Sequence, residues 1–153
     1  MPASHVDLVS HWRTKAPLER VWAALADIEG WPGWWFCVRE VRTLRQAGAD
    51  GMGGTYRITF ATRMPRFGPL EIEIADSLRP ESLRCRLRGR LRGEGIWLLR
   101  SADGFTDLTC VWRIETGTGW MRWLKPVWVP LLRWNHDAVM RTGGTGLARH
   151  LAA

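Results

Sequence analysis

The stretch HWRTKAPLERVWAALADIEGWPGWW, residues 11–35, decides how this chain folds. Its first residues extend an alternating run, which predicts a strand over residues 5–14. Pro17 then breaks the period, and a proline at the first helical position is pre-set to the backbone angle a helix needs. Beyond it Leu18, Val21, Trp22, Leu25 and Ile28 recur at three- and four-residue spacing, so they share one face of an amphipathic helix. Glu29-Gly30 closes that helix, and Trp31-Pro32-Gly33-Trp34-Trp35 forms a second short helix or a tight aromatic turn. Both pieces need an apolar surface to pack on, which the rest of the chain must supply.

From Val38 the period is two, in runs at residues 38–44, 55–61, 70–77, 83–91, 95–101 and 106–116, each bounded by turn residues. Two runs permit a register. Arg84, Arg86, Arg88 and Arg90 alternate with Cys85, Leu87, Gly89 and Leu91, while Glu71 and Glu73 alternate with Leu70, Ile72 and Ile74. A hairpin turning at Arg79-Pro80 sets Glu73 opposite Arg86 and Glu71 opposite Arg88 on the solvent side. Gly93-Glu94-Gly95 reads as a three-residue connection with Gly95 left-handed, which puts Trp97 and Leu99 on the inward face with Gly89 and Leu91, whereas a two-residue turn would flip Trp97 outward. Leu108, Cys110, Trp112 and Ile114 complete that face, and Tyr56, Ile58 and Phe60 supply it from an earlier strand.

After the glycines of residues 117–119 the pattern reverts to helical as far as the C-terminus. Pro126 and Pro130 delay the helix, so its continuous part is expected from about Pro130, with Leu131, Trp134, Ala138 and Leu147 turned inward. Gly143, Gly144 and Gly146 each weaken a helix by roughly 1 kcal/mol relative to Ala unless close packing compensates. No repeat, linker or compositional break divides the chain. The expectation is one α+β domain over residues 1–153: seven antiparallel strands, two short helices after the first strand, and a long C-terminal helix.

Composition narrows the class. The chain has 153 residues, 46% of them hydrophobic, and 22 basic against 15 acidic residues give a net charge of +7. A chain of this size buries roughly 70% of its unfolded surface and needs no disulfide or metal to hold a core. Cys37, Cys85 and Cys110 show no C-x-x-C spacing and read as free thiols. The most apolar window, residues 120–134, is broken by Arg122, Lys125, Arg133 and two prolines, too polar to span a bilayer. Nothing near the N-terminus reads as a signal peptide, so the expected location is cytoplasmic or peripheral at a membrane. The 11 tryptophans must fill a core or line a site.

The opening stretch, an apolar strand followed by an Ala-Pro helix start, a Val-Trp pair, Leu-x-Asp and Trp-Pro-x-Trp, resembles the START-related, Bet v 1-like (SRPBCC) superfamily. More narrowly it is similar to the polyketide cyclase/dehydrase and lipid-transport group. Residues 134–151, WNHDAVMRTGGTGLARHL, resemble the closing helix of such proteins. The resemblance implies a helix-grip fold, a curved antiparallel sheet wrapped around one long C-terminal helix with a hydrophobic cavity between them. Members carry or sense lipids, sterols and hormones, and a minority cyclise or dehydrate polyketides. Fold alone leaves that choice open.

The residues themselves offer little covalent chemistry. His5, His11, His136 and His150 form no metal-ligand pattern, and the glycine-rich residues 48–54 and 142–146 lack the Lys-Ser/Thr of a phosphate loop, so no metal or cofactor is expected. Cys85 and Cys110 lie on apolar faces where a thiol is inert. No catalytic residue stands out; His136, on the closing helix, and Tyr56, the sole tyrosine, are the candidates for proton transfer, with the role of polar ligand anchor favoured for His136 and a hydrogen bond to backbone the commoner outcome for Tyr56. Asp137, one residue on, is not expected to orient His136 and should meet Arg133 and Arg141 instead. Among the tryptophans, Trp22, Trp34, Trp97, Trp112 and Trp134 are expected to face the cavity, lining it as an aromatic box or filling it. The expected ligand contacts are Trp34, Tyr56, Ile58, Phe60, Ile72, Leu87, Trp97, Leu99, Cys110, Trp112, Leu131, Trp134 and Ala138. Trp120, Trp123 and Trp128, interleaved with Arg122 and Lys125, read as a membrane-interfacial element or a solvated face. The same Arg-Trp mixture suits nucleic acid, but no motif supports it. The expected function is binding or transport of a hydrophobic small molecule or lipid, with a cyclase/dehydrase-type enzyme as the alternative.

Overall fold

Alternating apolar and polar residues give seven strands: β1 (His5–Thr14), β2 (Val38–Arg45), β3 (Thr55–Phe60), β4 (Leu70–Leu78), β5 (Ser82–Arg88), β6 (Gly93–Ala102) and β7 (Phe105–Glu115). All pair antiparallel in one sheet of order β1-β7-β6-β5-β4-β3-β2. Between β1 and β2 lie α1 (Leu18–Ala26) and a 3-10 helix (Ile28–Gly33), and after β7 comes α2 (Lys125–Ala152). The structure is a computed structural model and describes residues 5–61, 69–89, 91–116 and 123–152. Arg90 and residues 117–122, which carry part of the sequence reading above, lie outside the described residues.

The hairpin register is the one the charges dictate: Glu73 faces Arg86 and Glu71 faces Arg88. On the outer face Glu73 pairs with Arg86 at 3.0 Å and Arg88 at 2.7 Å, while Glu71 turns to Arg57 at 2.9 Å. Arg113 pairs with Asp7 at 3.0 Å and Arg13 with Asp107 at 2.6 Å, tying β1 to β7. Exposed pairs contribute little, so they select the register more than they stabilise the sheet. Shifts of register in β2 and β4 let those strands bend around the helix side.

Two expectations about element ends are corrected. Gly93-Glu94-Gly95 is not the connection between β5 and β6, because β5 ends at Arg88 and β6 already begins at Gly93. Gly89 (φ 101°) and Gly93 (φ 151°) take the backbone conformations that favour glycine. Gly95 lies within β6 opposite Trp112, whose indole covers it so closely that a Cβ would overlap the ring. Trp97 and Leu99 face inward all the same. The long helix begins at Lys125 rather than near Pro130. Pro126 falls in the first turn, where its missing N–H costs nothing, and Pro130 forfeits one helical bond early in a 28-residue helix.

The three glycines of α2 are where it meets the Trp-rich segments. A Cβ on Gly143 would lie 2.6 Å from the rings of both Trp12 and Trp35, and one on Gly144 would lie 2.9 Å from Trp12. One on Gly146 would collide with the backbone carbonyl of Trp34. Trp35 also donates its indole N–H to the carbonyl of Val139 at 2.9 Å. Helix propensity is thus given up for contact between aromatic rings and helix backbone. Gly146→Ala is expected to destabilise the protein by roughly 2 kcal/mol despite alanine's better helix propensity. Gly33→Ala, where a Cβ meets nothing within 4 Å, should change stability by less than about 0.5 kcal/mol. Urea unfolding of the two variants measures the contrast.

Candidate functional site

The space between α2 and the sheet has two halves. Under the glycines it is filled: Trp12 lies 5.4 Å from Trp35 and 5.0 Å from Trp97, and Trp34 stacks on Trp35 at 5.6 Å. Under residues 132–140 the sheet presents the aliphatic side chains Leu8, Ile58, Ile72, Leu87 and Ile114. A cavity of about 110 Å³ remains there. Leu132, Val139 and Met140 form its helical wall, and Trp31, Trp35, Phe60, Leu70, Leu91 and Trp112 line the rest. Asn135 and His136 are the polar side chains in an otherwise apolar lining.

His136 is the chemically distinctive member. Its side chain is only 11% exposed, and among the described residues neither ring nitrogen has a hydrogen-bond partner. Contrary to the sequence expectation, Asp137 does approach it: the carboxylate lies 3.6 Å from Nδ1, too far for a hydrogen bond but close enough to oppose desolvation. Arg133 does not join Asp137 in a surface triplet; it donates to the carbonyl of Asp7 at 3.4 Å. Burial dominates and lowers the His136 pKa below its usual value, with Asp137 pulling the other way. A neutral imidazole facing an apolar cavity offers one donor and one acceptor.

The sequence-derived contacts divide by position. Ile58, Phe60, Ile72, Leu87 and Trp112 line the cavity. Trp34, Trp97, Leu99 and Cys110 are buried but belong to the packed core outside it, where Trp34 also stacks on His150 at 6.5 Å. Trp22, expected to face the cavity, is likewise core. Tyr56 is buried away from the lining, and burial together with the charges of Glu29 and Asp27 raises its pKa. Burial pushes the Cys85 thiol up to about 12 and raises that of Cys110, so neither is a nucleophile near neutral pH. Leu131 and Trp134 lie on the outer face of α2, 47% and 53% exposed, and Ala138 is half-buried outside the lining.

The helix phase explains the difference. Adjacent apolar residues Leu131 and Leu132 let a stripe be drawn through either. The inward column is Leu132, His136, Met140, Gly143, Leu147 and Leu151, which becomes visible once a histidine and a glycine are admitted to it. Trp31, Trp35, Leu132, Asn135, Val139 and Met140 escaped the sequence reading for this reason, or because a short aromatic turn gives no periodic signal.

A curved antiparallel sheet gripping one long C-terminal helix over an apolar cavity is a helix-grip, START-like ligand-binding architecture. Residues 6–152 match the family described as polyketide cyclase / dehydrase and lipid transport, and the chain belongs to it. Solved structures agree on the fold. The Zhui aromatase/cyclase of a Streptomyces species superposes with a TM-score of 0.77 at 15% identity, covering 97% of this chain and 94% of that one. A START superfamily protein from Mycobacterium smegmatis gives 0.74 at 13% identity, covering 97% and 98%. The di-domain ARO/CYC BexL gives 0.73 at 13%, covering 97% of this chain and 50% of that chain. No curated protein matches the sequence.

The depressed pKa of His136 ties stability to pH with a definite sign. Below about 6.5 the unfolded chain binds a proton that the folded protein refuses, so stability present above that pH is lost as pH falls toward the folded value. Urea midpoints measured from pH 8 to pH 5 should therefore fall more steeply for the wild type than for His136→Leu. Parallel profiles would show that His136 titrates as it does in the unfolded chain.

Proposed function

We propose that this protein binds a hydrophobic small molecule or lipid between sheet and helix, and that His136 and Asn135 recognise a carbonyl or hydroxyl group on it. The single observation that carries this reading is a neutral, buried histidine without a hydrogen-bond partner among the described residues, on the wall of an apolar cavity. Leaving such a group unsatisfied costs about 1–3 kcal/mol, and a ligand oxygen recovers that energy. The apolar lining supplies affinity without direction, while the imidazole and carboxamide fix orientation. The family and the fold support the same class of ligand.

The second reading, a cyclase or dehydrase, has one specific observation in its favour. Burial keeps His136 unprotonated near neutral pH, so Nδ1 or Nε2 can accept a proton from a carbon next to a ligand carbonyl. Asn135 would then hydrogen-bond the oxygen that gains charge. Similarity of fold to aromatase/cyclases is compatible with this and does not require it.

Native mass spectrometry of the gently purified protein, then titration with fatty acids, sterols and aromatic polyketides, tests the binding reading. Val139→Trp should fill the cavity and abolish binding while circular dichroism stays unchanged. His136→Leu should weaken oxygenated ligands by roughly tenfold and leave a hydrocarbon of the same shape unaffected. Loss of turnover in His136→Leu with affinity preserved would instead establish the enzyme. Full affinity for every ligand in Val139→Trp would remove the cavity from the account.

A further inference from the structure

The outer face of α2 opposite the cavity carries apolar residues that no other part of the described protein covers. Trp123 is 85% exposed, Val127 62%, Leu131 47% and Trp134 53%, with Leu124 beside them at 51%. Val127, Leu131 and Trp134 follow at spacings of four and three, which puts them in one column on one side of the helix. Arg141, two turns beyond Trp134, extends the column with a cation. Large side chains scattered singly over a surface need no explanation, but a contiguous stripe containing two indoles does. The inner side of the same turns holds Trp128 and Leu132, both buried, so the stripe is surplus to what the core requires.

Charge says what fits the stripe. From Thr116 to His136 the sequence contains Arg122, Lys125 and Arg133 and no acidic residue; the exposed Asp137 follows before Arg141, so cations outnumber the carboxylate, in a chain of net charge +7. A partner interface built on two tryptophans would serve a protein, but a segment with this excess of cations favours a negatively charged partner surface. Indole rings are preferred at the boundary between hydrocarbon and water, and long basic side chains reach past them to anionic headgroups. No helix of the described residues is long and apolar enough to cross a bilayer, so a membrane-bound α2 would lie along the surface.

We propose that the first three turns of α2, with Trp123 and Leu124 before them, dock this protein on an anionic lipid surface. In the docked state Trp123, Val127, Leu131 and Trp134 insert at headgroup depth, and the helical wall formed by Leu132, Asn135, His136 and Val139 faces away from the bilayer. The same segment therefore has one side for the cavity and one for the membrane. The stripe stands independently of the ligand reading, since none of its residues lines the cavity.

Vesicle flotation tests the proposal with the full chain, using phosphatidylcholine vesicles with and without 30 mol%, an order-of-magnitude choice of about one lipid in three, of phosphatidylglycerol. The wild type should float with the anionic vesicles, weakly or not at all with the neutral ones, and release as salt is raised. Val127→Asp combined with Leu131→Asp should lower the partition coefficient by roughly tenfold or more. Because both positions are exposed, circular dichroism and thermal unfolding should not change. Binding of a cavity ligand in solution should also persist in the double variant, so failure of the membrane proposal and failure of the ligand reading are read separately. Absence of wild-type flotation on either vesicle would overturn the proposal. So would a concentration-dependent dimer in sedimentation velocity that the double variant abolishes, because a second copy would then cover the stripe.

Discussion

Trp12, Trp34 and Trp35 can reach the backbone of α2 because residues 143, 144 and 146 are glycines. That contact brings β1, the segment after the 3-10 helix and the C-terminal half of α2 together at one place, and the Trp35 hydrogen bond to Val139 fixes the helix along its length. Once the helix is held there, its rotation is set. Met140, Leu147 and Leu151 turn inward with the glycines, and Leu132 and His136 follow in the same column two turns earlier. A single bulky residue at position 146 would push the helix away from the carbonyl of Trp34 and shift everything that α2 carries.

The cavity follows from the same arrangement. Tryptophans fill the glycine end, where ring contacts add roughly 0.5–1.5 kcal/mol each beyond the area they bury. At the other end aliphatic side chains of the sheet, with Trp31, Trp35, Phe60 and Trp112, surround the cavity beneath the helix. His136 falls on the wall because it occupies the inward column, and its burial keeps it neutral. Site chemistry and core packing share one cause.

Sequence periodicity carried the fold a long way. The strands at residues 5–14 and 70–77, and the Glu73–Arg86 register, were legible because a pleated strand with one buried face must alternate and opposite charges must meet. Pro17 announced α1 through its fixed backbone angle. The connection near Gly93 was not legible, since a run of Gly-Glu-Gly offers the same conformational freedom whether it turns or lies flat beneath Trp112. Of the cavity-lining residues, those on central strands such as Ile58, Ile72 and Leu87 were readable from alternation. Those on the helix were not, because Leu131 and Leu132 are equally apolar and the stripe through Trp134 looks as convincing as the true one.

By itself the sequence determined the element order, the faces of the strands, the antiparallel class and the resemblance to its family, all of which rest on local periods of two and 3.6 residues. Only the tertiary structure decided which side of α2 is the inner one, which tryptophans pack and which line a cavity, and that His136 has no hydrogen-bond partner among the described residues. Those outcomes depend on where the helix is docked. Docking is settled by contacts between residues more than a hundred positions apart, such as Trp35 with Val139 and Trp12 with Gly143. No local pattern encodes such contacts, because each side chain is compatible with several neighbours until the fold selects one.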